Sequence, residues 1–213
     1  GLQMKTRIHL TVTLIVFWLA ALGTTFAQQG DQVGKIEFPN SCRPAVQEKL
    51  LRGIATLHSF YYSAMQKAFQ EVAAEDNSCA ITAWGYASIL MLNPLAGTGA
   101  SPKNAEDAKD AIEKGRKMGA KTQRERDYLE AVAAYYEDFG NRSERERQLA
   151  RAKAYEALAA KHPEDDEAQI FYALYLAATQ LSSDQTYSAY LKAAEILESS
   201  SSSIRTIRAS HTT

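Results

Sequence analysis

The sequence predicts an all-α protein, an α-solenoid of about four stacked antiparallel helix hairpins. Three observations lead to this fold class. From Pro44 onward almost every segment is rich in the helix formers Ala, Leu, Glu and Lys. Short groups of Gly, Pro, Asn and Ser divide this region into segments of helical length. Two residue patterns alternate along these segments, as expected for a repeated helix pair.

The N-terminal residues 1–27 predict a secretory signal peptide that is cleaved after Ala27. Lys5 and Arg7 precede the apolar stretch from Leu10 to Leu22, and small residues follow it. An uncleaved membrane anchor is the alternative, because the apolar region is about long enough to span a bilayer. Residues 28–40 are predicted to form an extended lead-in to the helices, since Pro39 disfavours a helix there.

The helices follow the lead-in in a regular order. Pro44 suits the first position of a helix, because its missing N–H group would have no intrahelical acceptor there. Groups such as Asp76-Asn77-Ser78 and His162-Pro163 separate consecutive helices. The predicted ranges are 44–58, 62–75, 79–92, 104–118, 123–139, 143–161, 166–179 and 185–198.

The two alternating patterns indicate how the helices of a pair pack. Gly53-Ile-Ala55-Thr-Leu57 in the first helix recurs as Gly85-Tyr-Ala87-Ser-Ile89, and looser copies begin at Ala131 and Phe171. The second helices share an alanine followed by a bulky residue, as in Ala68-Phe69 and Ala154-Tyr155. A small residue in the first helix allows the bulky residue of the second helix to approach closely. One hairpin cannot bury its apolar stripe alone, so the pattern predicts stacked hairpins.

The residues at these positions resemble the tetratricopeptide repeat (TPR). Gly53 and Gly85 match its small residue, Phe69 and Tyr155 match its aromatic residue, and Pro163 matches its closing proline. The resemblance covers about residues 38–198, is similar to that of secreted bacterial proteins of this class, and implies a TPR-like repeat domain over 41–198. The sequence departs from the pattern where Phe171 replaces the small residue and where Met65 and Arg151 replace the usual alanine.

The two cysteines, Cys42 and Cys79, each lie at the start of a first helix in adjacent hairpins. Stacked first helices lie side by side, so their starts are neighbours. Export to an oxidising compartment permits a bond between them, and the sequence therefore predicts a Cys42–Cys79 disulfide. Two free buried thiols are the alternative.

The resemblance also implies a binding surface. In this repeat class the first helices line a concave groove, which here would contain several tyrosines. Tyrosine combines broad apolar contact with a hydroxyl group, which suits the binding of an extended peptide or a partner helix. The alternative is that these tyrosines fill the core between repeats, and that His58 packs at a helix end. The candidate groove residues are His58, Tyr86, Tyr135, Tyr172 and Tyr175.

Other function classes lack support in the sequence. Phosphate-binding and nucleophile motifs are absent, and no histidine has the spacing of a metal site, so we expect neither a catalytic residue nor a cofactor. The formal net charge of −1 includes four basic residues outside 28–198, so the repeat region is acidic, which argues against nucleic-acid binding. We also expect no stable membrane insertion once the signal is cleaved.

These observations favour a periplasmic or secreted bacterial scaffold that binds a protein or peptide and catalyses nothing itself. One alternative is an enzyme or small-ligand-binding protein with its site in the loop 93–103 or in a missing C-terminal part. A truncated product without function is another. The tail 199–213 is predicted to be either disordered or the result of a frame-shift, because five serines precede an unrelated segment.

Overall fold

The computed structural model describes residues 36–58, 60 and 62–210, with the backbone alone for 201–210. The predicted signal peptide lies outside these residues. Eight α-helices and no strand occur in the described part, so the protein is all-α as predicted. The helices are α1 Gln47–Leu57, α2 Tyr62–Glu75, α3 Ile81–Leu90, α4 Pro102–Met118, α5 Gln123–Tyr136, α6 Glu144–Lys161, α7 Asp166–Ala177 and α8 Ser188–Ser210. Two short 3₁₀ helices cover Pro44–Val46 and Pro94–Ala96.

Local capping explains several helix boundaries. Thr122 and Glu125 form a capping box at the start of α5, and Ser143 and Glu146 form another at the start of α6. α5 ends at Tyr136, earlier than predicted, and Asp138 just beyond it has a positive φ of 47°. α8 differs most from the prediction, because it begins at Ser188 and continues to Ser210 instead of ending at residue 198. Residues 199–210 of the predicted tail are therefore helical, and residues 211–213 lie outside the described part.

Consecutive helices pack as pairs, α1 with α2, α3 with α4, α5 with α6 and α7 with α8, and neighbouring pairs are in contact. α3 is the central helix, since all its residues are buried except Tyr86, which is half-buried. A helix that is apolar on every side belongs in a protein interior. Trp84 of α3 is fully buried and its indole Nε1 donates a hydrogen bond to the Tyr155 hydroxyl at 2.8 Å.

Helix α7 of the last pair contacts residues of the first two helix pairs. Phe171 of α7 packs edge-on against Trp84, with ring centroids 5.3 Å apart, and stacks on His58 at the end of α1 at 5.2 Å. α7 also contacts the 3₁₀ turn Pro94–Ala96. The repeat pattern has a small residue at position 171. The larger Phe171 ring instead packs between the His58 and Trp84 side chains. As a result, α7 covers part of the surface that α1 and α3 would otherwise expose.

The described part of the lead-in, from residue 36 onward, belongs to the packed core. Phe38 is buried and stacks on Trp84 at 5.3 Å, while the edge of Tyr128 meets it at 5.2 Å. The Glu125 carboxylate accepts hydrogen bonds from the backbone N–H and the hydroxyl of Ser41, at 3.0 and 2.9 Å. Burial disfavours the charge of Glu125, but these bonds and those from Thr122 outweigh it and lower the pKa. Residues 38–41 are thus held against α5.

Phe69 of α2 lies between the two glycines of the first pattern. A Cβ atom added to Gly53 would lie 3.3 Å from Ala68 Cβ and 3.4 Å from the Phe69 ring. A Cβ atom added to Gly85 would lie only 2.4 Å from the same ring. The close approach of α3 to Phe69 therefore requires glycine at 85, whereas position 53 has nearly enough room for a methyl group.

We predict opposite results for alanine at these two positions. Gly85→Ala is expected to lower the free energy of unfolding by about 1–3 kcal/mol, because Phe69 must leave its packed position. Gly53→Ala is the matched control, since its small contact is offset by a helix-propensity gain of up to about 1 kcal/mol. Urea denaturation measures both variants. Equal stability of the two would show that Phe69 does not pack against Gly85 as described.

Candidate functional site

The two cysteines meet where the first 3₁₀ turn lies beside the start of α3. Their sulfur atoms are 1.95 Å apart and their Cα atoms 4.7 Å apart, which is the predicted Cys42–Cys79 disulfide. Asp76 is buried beside them, and its carboxylate accepts hydrogen bonds from the Arg43 N–H at 2.7 Å and the Ser78 hydroxyl at 2.8 Å. Burial opposes the charge of Asp76, but these bonds lower its pKa. The ligand atoms of Cys42, Asp76 and Cys79 lie within 4.8 Å of one another, yet the disulfide leaves no thiolate to bind a metal.

Three of the five candidate groove residues lie inside the protein. Tyr135, Tyr172 and Tyr175 are buried, at 0%, 8% and 3% exposure. The Tyr135 hydroxyl donates to Glu144 Oε2 at 2.7 Å and accepts from the Ala100 N–H at 3.0 Å. Burial, together with the bond to Glu144, raises the pKa of Tyr135 to about 12. These positions fit the alternative in which tyrosines fill the core between helices.

His58 joins the first and last helix pairs. Its Nε2 atom lies 2.8 Å from Glu167 Oε2, and its ring stacks on Phe171. The Glu167 side chain is only 5% exposed, so the contact is largely shielded from water. His58 is half-buried and here holds the end of α1 against α7.

Tyr86 is the candidate groove residue that lines an open site. It lies in a cleft of about 350 Å³ between α2, α3 and α4. Phe69, Ala83 and Met118 contribute apolar surface to this cleft. Asp107, Asp110 and Lys114 contribute charged groups. We call this site the Tyr86 cleft.

A second cluster, which the sequence did not predict, holds the described part of the lead-in to the start of α5 and to the residue that caps α7. The Arg124 guanidinium lies 4.1 Å from the centre of the Phe38 ring and 4.5 Å from that of Tyr128. Its Nε and Nη2 atoms donate to the two oxygens of Asp165 at 2.6 and 3.0 Å. Asp165 also caps α7 through the Ala168 N–H. The local sequence could have indicated the cap, but not the contact with Phe38.

A third cluster surrounds Arg151 of α6, one of the positions where the sequence departs from the repeat pattern. Arg151 is 1% exposed, although arginine is rarely buried without a charged partner. Its guanidinium carbon lies 4.3 Å from the centre of the Tyr175 ring and 5.2 Å from that of Tyr135. The arginine in place of alanine was the one sequence signal for this cluster.

Comparison with known proteins leaves the family open. No protein-family model, curated protein or solved structure matches this chain. Within the described residues, no helix has both the length and the apolar character needed to cross a membrane.

Proposed function

We propose that this protein is an exported helical-repeat scaffold of TPR-like hairpins that binds a protein or peptide and has no catalytic activity of its own. The packing of consecutive described helices in pairs supports this proposal. The small residue Gly53 faces Ala68 and Phe69, as the pattern requires of a first and second helix. A disulfide between Cys42 and Cys79 is compatible with export to the periplasm or beyond the cell.

The binding proposal rests on the Tyr86 cleft. Tyr86 is the one residue of α3 that is not buried, and it opens into the space between α2 and α4. A half-exposed tyrosine beside Phe69 and Met118 offers apolar area with a hydroxyl group. A furrow between two helices suits an extended peptide or a short helix whose apolar side chains enter it. We therefore propose this cleft, rather than a concave groove lined by the buried tyrosines, as the binding surface.

The charges of the cleft suggest the chemistry of the partner. Asp107 and Asp110 border one side, and Lys103 pairs with Asp107 at 2.5 Å. An exposed pair of this kind contributes little stability, so a partner cation can replace Lys103 at small cost. A segment with one or two apolar anchors and a neighbouring lysine or arginine fits this site best.

The test uses peptides selected on the immobilised protein from a displayed random library. Tyr86→Ala is expected to weaken the binding of a selected peptide at least tenfold, because a buried aromatic contact is commonly a binding hot spot. Leu191→Ala is the matched control, since Leu191 is 67% exposed on α8, far along the chain from this cleft. Fluorescence anisotropy measures the affinities. Equal affinity of the wild type and Tyr86→Ala for every selected peptide would contradict the proposal.

The alternative of small-ligand binding is favoured by the surroundings of Arg151. The loop 93–103 packs close to this residue, because the Ala100 N–H donates to the Tyr135 hydroxyl and Gly99 lies against Glu144. Tyr135 is also one of the two rings on which Arg151 rests. This alternative requires no catalysis and no cofactor.

A further inference from the structure

The Arg151 guanidinium is enclosed by aromatic and sulfur atoms, and no described residue gives it a negative partner. Tyr175 and Tyr135 lie against it, and its Nη1 atom donates to Met91 Sδ at 2.7 Å. A thioether sulfur is a weak acceptor and carries no charge. Among the ion pairs of the described residues, none includes Arg151.

Two nitrogen donors of Arg151, both on one edge of the guanidinium group, make no hydrogen bond with the described residues. Within the described part of the chain, Arg151 Nε and Nη2 are buried and have no hydrogen-bond partner. These two nitrogens point their N–H groups to the same side of the planar guanidinium, the arrangement that binds both oxygens of a carboxylate. The unpaired atoms therefore form one complete bidentate donor edge.

The nearby carboxylate is already occupied. Glu144 accepts hydrogen bonds from the Tyr135 hydroxyl at 2.7 Å, from Arg147 at 3.1 Å and from Gln148 at 3.1 Å. Its charge is thus balanced by Arg147 rather than by Arg151. Guanidinium stays protonated in proteins, and burying an unpaired charge costs several kcal/mol. A group that the described residues do not supply is expected to complete the edge.

A second orphaned polar atom lies in the same aromatic core. The Tyr62 hydroxyl is buried without a hydrogen-bond partner in the described part of the chain. Burial and the neighbouring Tyr175 raise the pKa of Tyr62 to about 12, so this hydroxyl stays protonated and can donate a hydrogen bond. Tyr175 is therefore close to both orphaned side chains, Tyr62 and Arg151.

We infer that a small oxyanion, of the carboxylate or phosphate type, binds the Nε and Nη2 edge of Arg151 between the helices α3, α5, α6 and α7. The tyrosine rings lie against the guanidinium, so the anion approaches in its plane. The anion is expected to be small, because Met91, Tyr135 and Tyr175 around the site are all buried. The inference is independent of peptide binding in the Tyr86 cleft, which involves none of these residues.

The test compares thermal unfolding of the wild type and Arg151→Met in chloride buffer and with acetate, benzoate or phosphate at matched ionic strength. Acetate and benzoate represent free carboxylates, and phosphate represents the other source of an oxyanion. We expect one of these probes to raise the wild-type Tm by about 5–10 °C when present at a hundred times its Kd. Arg151→Met is expected to show no such rise and to have a higher Tm than the wild type in chloride alone.

A second measurement remains informative if Arg151→Met fails to fold. Arg151→Lys keeps a positive charge but lacks the bidentate edge, so it is expected to lose most of the response to the probe. In the wild type, the NMR signal of the Arg151 Nε–H group should shift when the probe is added. Equal Tm changes in wild type and variants for all three probes, with no shift of that signal, would overturn the inference.

Discussion

Replacing both Cys42 and Cys79 with serine is expected to lower the free energy of unfolding by about 4 kcal/mol. The disulfide spans 37 residues, and closing a loop of this length removes that much chain entropy from the unfolded state in the usual model. The loss is a large share of the stability of a typical domain, about 5–15 kcal/mol. Urea denaturation of the oxidised wild type and the double variant measures the difference.

Reduction of the wild type provides the control. Its denaturation midpoint in excess dithiothreitol should fall to that of the double variant, while the double variant should not respond to the reductant. A thiol titration of the native, unreduced protein should find no free thiol on Cys42 or Cys79. Two titratable thiols, together with equal midpoints with and without dithiothreitol, would contradict the disulfide.

The helices could be predicted because their signals are local. Thr122 and Glu125, or Ser143 and Glu146, are three residues apart, and each pair satisfies backbone groups of its own helix. The Cys42–Cys79 pair was also predictable, because both residues lie at the starts of neighbouring first helices. Spacing along the chain contains enough information for contacts of this kind.

Contacts between distant parts of the chain were not predictable in the same way. Phe38 packs on Trp84, and Ser41 donates to Glu125, although the sequence marks 28–40 only as an extended segment. The contact between α7 and His58 depends on how the Phe171 ring packs, and the periodicity of the sequence does not specify that packing. The large residue at position 171 and the arginine at 151 were visible departures from the repeat pattern, but only the packing shows their consequences.

The same distinction applies to the candidate groove residues. Tyr86 lies one position after Gly85, the first residue of its copy of the first-helix pattern. Tyr135 and Tyr175 each lie four positions after the first residue of their copies. These positions share a helix face, so the sequence could group the three tyrosines. It could not determine which of them the neighbouring helices cover. Tyr86 faces the cleft beside α4, whereas Tyr135 and Tyr175 enclose Arg151. Their different surroundings predict different results for the same substitution.

Tyr135→Ala is expected to lower the free energy of unfolding by about 3–5 kcal/mol, the usual loss for a buried aromatic side chain. Tyr135 is fully buried, packs edge-on with Tyr136 at 4.9 Å and bonds to Ala100 and Glu144. Tyr135→Phe separates the ring packing from the hydrogen bonding, since it keeps the ring and loses about 1–3 kcal/mol with the unpaired Ala100 N–H group.

Tyr86→Ala is the matched control and should change stability by less than about 1 kcal/mol, because Tyr86 is half-buried at the cleft. Chemical denaturation followed by circular dichroism measures all three, and a Tyr135→Ala variant as stable as Tyr86→Ala would mean that Tyr135 lies on an open surface.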